Sequence, residues 1–118
     1  MGAVIKFPWP PKGLQPHAKG HWRPKAAATK AYRQTSTWHA KLAGVKPDTG
    51  AVLEFTFCPP NRMRRDLQNM PSQMKPLIDG IADAMGVDDH GFRCLWPFEF
   101  GPVEKGGAVY VEIRGEIS

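Results

Sequence analysis

At 118 residues, with 42% hydrophobic and 23% charged content, the chain suits one ordinary globular domain, long enough to bury a core without disulfide staples. No apolar run approaches the roughly 20 residues of a membrane span. The first residues lack the apolar stretch of a secretory signal, and the two cysteines, Cys58 and Cys94, make neither a disulfide framework nor a CxxC pair, so a cytoplasmic protein with buried free thiols is expected.

The elements follow in chain order. Ala3–Phe7 is a short apolar run halted by Pro8-Trp9-Pro10-Pro11, which reads as a strand stopped by prolines. Lys12–Arg23 is a loop rich in Gly, Pro, Lys and His. Its His17 and His21 are four apart but have no third ligand beside them, so other roles outweigh a metal site. Pro24 suits the first turn of a helix. Ala31, Thr35, Trp38 and Leu42 mark that helix's apolar face, and Gly44 with Pro47 ends it. Ala51–Cys58 alternates, with Leu53, Phe55 and Phe57 on one side and Val52, Glu54 and Thr56 on the other. That is a strand, stopped by Pro59-Pro60.

A second helix carries Met74, Leu77, Ile78, Ile81, Ala82 and Met85 on one face. Pro76 belongs in its first turn, so the helix starts between Ser72 and Lys75; Gly86 is the residue past its end. Phe92–Phe100 reads as an apolar strand that Pro97 makes an edge or a bulged one. Ala108–Arg114 alternates again and forms the last strand. The order is β-α-β-α-β-β, one domain over residues 1–118, without repeats or linkers.

Charge is distributed unevenly. The net charge is +5, and residues 1–47 hold nine Lys/Arg and no Asp or Glu. This is a footprint suited to phosphate, with a solvated basic surface as the alternative. Five of the eleven acidic residues, in contrast, lie between Asp66 and Asp89. Asp66 follows the loop that leaves the second strand. Lys75, Asp79 and Asp83 share one stripe of the second helix at spacings of four, and Asp88-Asp89 lies just beyond its end. Oxygen donors drawn from a strand end, a helix flank and a loop suit Mg²⁺ or Mn²⁺ rather than zinc. A cation so held activates water and neutralises a scissile phosphate, while Lys75 stabilises developing charge. The plain alternative is a surface Lys75–Asp79 pair followed by a polar turn. Arg62, Arg64 and Arg65 are the phosphate clamp by position, with Lys12, Lys19, Arg23 and Lys25 as further DNA contacts. Trp9 and Trp22 are either stacking platforms or core.

These residues resemble the RusA family of Holliday-junction resolvases over nearly the whole length. Phe7-Pro8-Trp9-Pro10-Pro11 is similar to the family's "PWPP" segment, and Arg64-Arg65-Asp66-Leu67-Gln68-Asn69 to its "RRDLDN" motif. Lys75 to Asp79 resembles the "K-x-x-x-D" start of its second helix, Asp88-Asp89 its "DD" pair, and Pro102–Gly107 its "PVTKGG" loop. The resemblance implies a small α+β domain with a mixed sheet, acting as a symmetric homodimer with Mg²⁺ or Mn²⁺ to nick opposed strands of a four-way junction. It implies metal-binding roles for Asp66 and Asp89, a catalytic role for Lys75, supporting acids in Asp79 and Asp88, and an orienting role for Asn69. Phe92–Phe100 is then a candidate for the dimer interface, or simply core.

Two departures stand out. Gln68 replaces the motif's second aspartate, offering an amide oxygen without charge. Met70-Pro71-Ser72-Gln73-Met74 lengthens the spacing between Asn69 and Lys75. Asp79 is therefore expected to take the place of the missing acid. The main reading is a metal-dependent junction endonuclease in the cytoplasm (the host's, if phage-encoded). The alternatives are a branched-DNA-binding protein with weak or no cleavage, motivated by Gln68, and an adaptor that presents Pro8–Pro11 to a protein partner.

Overall fold

A computed structural model describes residues 2–14 and 22–115, with the side chains of residues 22–24 outside that description. The alternating apolar residues dictate the sheet. Strand β2 (Val52–Cys58) turns Leu53, Phe55 and Phe57 to one side, and all three are buried. Strand β4 (Ala108–Arg114) pairs antiparallel with it, setting Val111 opposite Phe55 and Val109 opposite Phe57. Strand β1 (Ala3–Pro8) pairs antiparallel with β4 on its other side and brings Ile5 opposite Val111 and Phe7 opposite Val109. One face of the sheet is thus a continuous apolar band. Each fully buried phenylalanine in it contributes about 1.5–3 kcal/mol of transfer free energy. The other face carries Lys6, Glu54, Thr56, Tyr110 and Glu112 at the alternate positions.

Strand β3 (Arg93–Leu95) completes a four-stranded sheet of order β1-β4-β2-β3 and runs parallel to β2. A parallel neighbour requires a crossover, which the second long helix supplies. The α+β architecture and the order β-α-β-α-β-β stand as read from the sequence. Proline falls where an edge tolerates it: Pro8 closes β1, which is an edge strand of the sheet among the described residues.

Helix α1 (Trp22–Leu42) ends at Gly44, whose φ of 74° lets Gly44 N donate to Lys41 O and Val45 N to Ala40 O. Helix α3 (Lys75–Met85) has Pro76 in its first turn and ends the same way at Gly86, φ 72°. It buries Leu77, Ile78, Ile81, Ala82 and Met85. The two helices pack on each other, and both contribute to the core formed with the sheet's apolar band. No helix among the described residues is long and apolar enough to cross a membrane.

Three local readings are corrected. The face of α1 expected at Ala31, Thr35, Trp38 and Leu42 points outward, and Trp38 and Leu42 are 62% and 67% exposed. The inward face is Tyr32, Ser36 and Ala40. The reason lies across the interface at Gly80. A Cβ built there would lie 2.6 Å from Arg33 O and 2.8 Å from Ser36 Cβ. At so close an approach only small side chains fit the contact, so Ser36 and Ala40 turn inward and Trp38 does not.

The second correction is β3, expected over Phe92–Phe100 and confined to Arg93–Leu95. Pro97 cannot continue a ladder. The chain turns instead, laying Trp96 against Phe55 at 4.5 Å between ring centroids and leaving Phe98 fully exposed. Third, the residues between Asn69 and Lys75 form a short helix, α2 (Met70–Gln73), that the sequence reading did not contain. Met70, Gln73 and the following Met74 are buried, so the longer spacing is a packed turn. Both thiols are free, Cys58 buried and Cys94 half-buried.

Candidate active site

The site is built on the polar flank of α3. Lys75 is the first residue of the helix and Asp79 lies one turn on, so Lys75 Nζ reaches Asp79 Oδ1 at 2.9 Å. The same ammonium donates to Asp89 Oδ2. Asp89 opens a 3₁₀ turn, Asp89–Gly91, whose position is set by two contacts. Asp88 caps it by accepting from His90 N at 2.9 Å. Gly91 lies so close to the α1–β2 loop that a Cβ there would stand 2.2 Å from Thr49 O. Immediately after it, Arg93 N donates to Ala51 O and starts β3.

The stripe continues onto α1. Arg33 donates from Nε and Nη2 to the two oxygens of Asp83, at 2.7 and 2.9 Å, in a bidentate pair. Its Nη1 lies 3.7 Å from Asp79 Oδ2. Asp79 therefore faces Lys75 with one oxygen and Arg33 with the other. The result is a chain of alternating charge, Asp89–Lys75–Asp79–Arg33–Asp83, running from the 3₁₀ turn across α3 to α1. The side chains of Asp79 and Asp89 are 19% and 28% exposed and that of Lys75 is 64% exposed. A cleft of about 430 Å³ opens beside them, lined by Lys25 and Thr29 of α1, Ser72, Gln73, Lys75 and Asp79.

Each shifted group of the chain is held in its charged form. The hydrogen bond to Asp89, followed by that to Asp79, raises the pKa of Lys75 above the usual lysine value. The same bond holds the Asp89 carboxyl below the ordinary carboxylate range. Arg33 does likewise for Asp83, whose carboxylate in turn raises the Arg33 guanidinium.

The remaining acids expected at the site are engaged as turn caps. Asp66 is exposed and caps a 3₁₀ turn, Leu67–Asn69, by accepting from Gln68 N at 3.0 Å. Among the described residues, no ion pair or hydrogen bond joins Asp66 to Lys75, Asp79 or Asp89. Asp88 is likewise engaged as a cap. Among the described residues no group of three or more His, Cys, Asp or Glu is placed to hold a metal ion. The Gln68 side chain is exposed. Asn69 acts through its carbonyl, which accepts from Ser72 Oγ and Gln73 Nε2 and so anchors α2.

The motifs far apart in sequence meet at one end of the sheet. Arg65 stacks over the Trp9 ring at 5.7 Å, and a Cβ on Gly107 would lie 2.8 Å from Trp9 Cβ and 3.1 Å from Pro60 Cδ. Glu104 N donates to Pro59 O. On the open face of the sheet the Glu104 carboxylate pairs with Lys6 at 2.6 Å and accepts from Tyr110. Trp9 thus packs on the core while carrying Arg65 on its outer side. Arg65 also donates to the carbonyls of Asn61 and Met63, so it shapes its own loop. Arg62 and Arg64 are exposed on that loop, Lys12 is exposed in the turn after β1, and Lys25 lines the cleft. His17, Lys19 and His21, with the side chains of Trp22 and Arg23, lie outside the described residues.

Arg33 was missed from sequence. No local pattern marks it, because its partners are fifty residues away and depend on the α1–α3 approach. Its bidentate bond to Asp83 also removes Asp83 from the group around Lys75.

No protein-family model matches the chain. An uncharacterized protein of Xylella fastidiosa is 37% identical over 116 residues, an alignment covering 94% of this chain and 75% of that protein. At that identity and coverage, the chain belongs to one family with the Xylella fastidiosa protein.

Proposed function

We propose that the chain is a metal-dependent, structure-specific endodeoxyribonuclease of the RusA type, cutting four-way and other branched DNA as a homodimer in the cytoplasm. One observation carries the reading: Lys75 bonds both Asp79 and Asp89 and, with Asp79 and Lys25, lines a cleft. In that role Asp79 and Asp89 would hold Mg²⁺ or Mn²⁺. Their donor chemistry fits, since Mg²⁺ needs only one or two carboxylates and completes its shell with water and phosphate oxygens. A cation bound there supplies charge neutralisation on the scissile phosphate and a more acidic water.

This chain's own residues do the rest. Lys75 stabilises charge developing on the phosphate. Arg33 keeps Asp79 oriented. Lys25, Arg62 and Arg64 track the backbone, so binding weakens steeply with salt. Asp66 enters the proposal by its motif, with its carboxylate bonded to Gln68 N. The exposed Phe98 beside the β3 edge supports an apolar contact between two copies. A two-fold dimer would match the symmetry of a junction and of paired nicks.

The second reading is a branched-DNA-binding protein with weak or no cleavage. The capping role of Asp66, which is bonded to Gln68 N and not to Lys75 among the described residues, favours it together with Gln68. The discriminating experiment is cleavage of a labelled synthetic four-way junction beside a matched linear duplex, in Mg²⁺ and separately in Mn²⁺, with Asp89→Asn as control. Symmetric, metal-dependent nicks confined to the junction and lost in the control support the nuclease. Tight junction binding without nicks in either metal supports the second reading, and Gln68→Asp then becomes the variant to assay.

A further inference from the structure

The position of Lys75 is unfavourable by local rules. It is the first residue of α3, at the positive end of the helix dipole, where a cation is disfavoured. No side chain caps that end. Its ammonium is nevertheless directed to two carboxylates from separate elements, Asp79 on the helix and Asp89 on the 3₁₀ turn. Both are less exposed than the lysine that joins them. The oxygens it engages, Asp79 Oδ1 and Asp89 Oδ2, are carboxylate donors of the kind that would hold a divalent cation.

We infer that Lys75 is a tethered competitor for the divalent cation, closing the Asp79–Asp89 pair until the cation displaces it. This rests on the cation-binding role proposed above for the two carboxylates. The device is workable because its parts differ in mobility. Lys75 hangs on a flexible four-carbon stem and is 64% exposed, so it leaves at little cost. Asp79 does not follow it, because Arg33, fixed by its bidentate bond to Asp83, stands 3.7 Å from the other Asp79 oxygen. Asp89 stays because Gly91 and Arg93 pin its turn to the loop before β2.

Two carboxylates facing one ammonium retain a net negative charge. A doubly charged ion therefore gains more from the pair than the lysine does. A phosphate polyanion at the cleft would favour the exchange from the other side by attracting the released ammonium. Cation and nucleic acid would then bind with positive coupling, each favouring the form with Lys75 released.

The test is Mn²⁺ binding without DNA, read from the free-ion electron paramagnetic resonance signal, for the wild type, Lys75→Met and Asp89→Asn. Thermal melts of each protein check folding, which the exposure of Lys75 makes safe for that variant. Exposed pairs of this kind are weak, so Lys75→Met should bind Mn²⁺ about three- to tenfold more tightly. Asp89→Asn should lose most of the binding. A second titration, with a single-stranded oligonucleotide present, should tighten Mn²⁺ binding in the wild type and leave Lys75→Met nearly unchanged. Equal or weaker Mn²⁺ affinity in Lys75→Met overturns the inference, as does absence of binding in both proteins. If the wild type nicks junctions with metal while Lys75→Met binds no tighter, the competitor is refuted and the nuclease reading stands. Absence of both Mn²⁺ binding and nicking removes the two together.

Discussion

Gly80→Ala measures how closely the two long helices approach. The added methyl would lie 2.6 Å from Arg33 O, 2.8 Å from Ser36 Cβ and 3.0 Å from Thr37 N. Ordinary contacts for a carbon atom begin near 3.5 Å, so the helices must part by roughly 1 Å. Two of the three neighbours are backbone atoms, and no rotamer change on α1 relieves them. Overpacking of this kind costs about 1–3 kcal/mol, with larger values when backbone must move. The opposing term is the helix propensity of alanine over glycine, about 1 kcal/mol. With the clash at the upper end, the net loss is about 2 kcal/mol. Urea unfolding should show a lower midpoint with an unchanged slope, and the thermal midpoint should fall by roughly 6–10 °C. Gly86→Ala is the control, because among the described residues nothing lies within 4 Å of its Cβ, and its φ of 72° opposes alanine. That variant should lose about 1 kcal/mol from backbone strain alone. If Gly80→Ala instead gains about 1 kcal/mol, propensity is acting unopposed and the close α1–α3 contact is wrong.

Three further outcomes follow from single groups. Ser36 Oγ is buried without a hydrogen-bond partner among the described residues, so Ser36→Ala should be neutral or stabilise by up to about 1 kcal/mol in the same unfolding assay. Tyr32 is buried, donates to Pro8 O at 2.7 Å, and burial raises its phenol well above the usual range. Tyr32→Phe removes that hydrogen bond and should cost about 1 kcal/mol, with no change in pH dependence up to pH 10. Arg33 lowers the pKa of Asp83 in the folded protein, so the pair's stabilisation is full above the unfolded carboxylate value near 3.9 and is lost as pH falls through the folded value. Asp83→Asn should therefore be less stable than the wild type at pH 6 and converge with it towards pH 2, as compared by urea midpoints.

Much of the fold was legible because periodicity coincides with one-sided burial. Leu53, Phe55 and Phe57, and likewise Val109 and Val111, alternate because one face of the sheet is covered by helices and the other is solvated. Pro76 and Gly86 bracket α3 for stereochemical reasons that need no tertiary information. The inward face of α1 was not legible. It is made of Ser36 and Ala40, which carry little hydrophobic signal, whereas Trp38 carries a strong one and faces out. At the site, Lys75 and Asp79 were read correctly as neighbours from their spacing of four, since that contact is local to one helix. Arg33 was not read, because it reaches Asp79 and Asp83 only through the Gly80 contact. Asp66 and Asp88 were grouped with the other acids, but each has a nearer partner in the amide two residues ahead. Such short-range bonds are the usual preference of aspartate at a turn.

The charge chain also depends on a second glycine contact, one that can be perturbed without altering any charged group. Gly91 ends the turn that carries Asp89, and its missing Cβ would stand 2.2 Å from Thr49 O. That oxygen belongs to backbone, so Gly91→Ala must displace the turn. The cost is about 2–3 kcal/mol by the overpacking rule, and the displacement carries Asp89 away from Lys75. In the wild type the hydrogen bond from Lys75 holds the Asp89 carboxyl below the ordinary carboxylate range. Loss of that bond removes the cause, so in Gly91→Ala the Asp89 titration should move up towards the unperturbed aspartate value near 3.9. The assay is a carboxyl carbon NMR titration of both proteins, with Asp89→Asn assigning the resonance. A Gly91→Ala protein that is destabilised yet keeps Asp89 titrating as low as in the wild type would show that the carboxylate follows Lys75 wherever the turn goes. Gly91 would then serve the sheet alone, and the placement of Asp89 would belong to Asp88 and its cap.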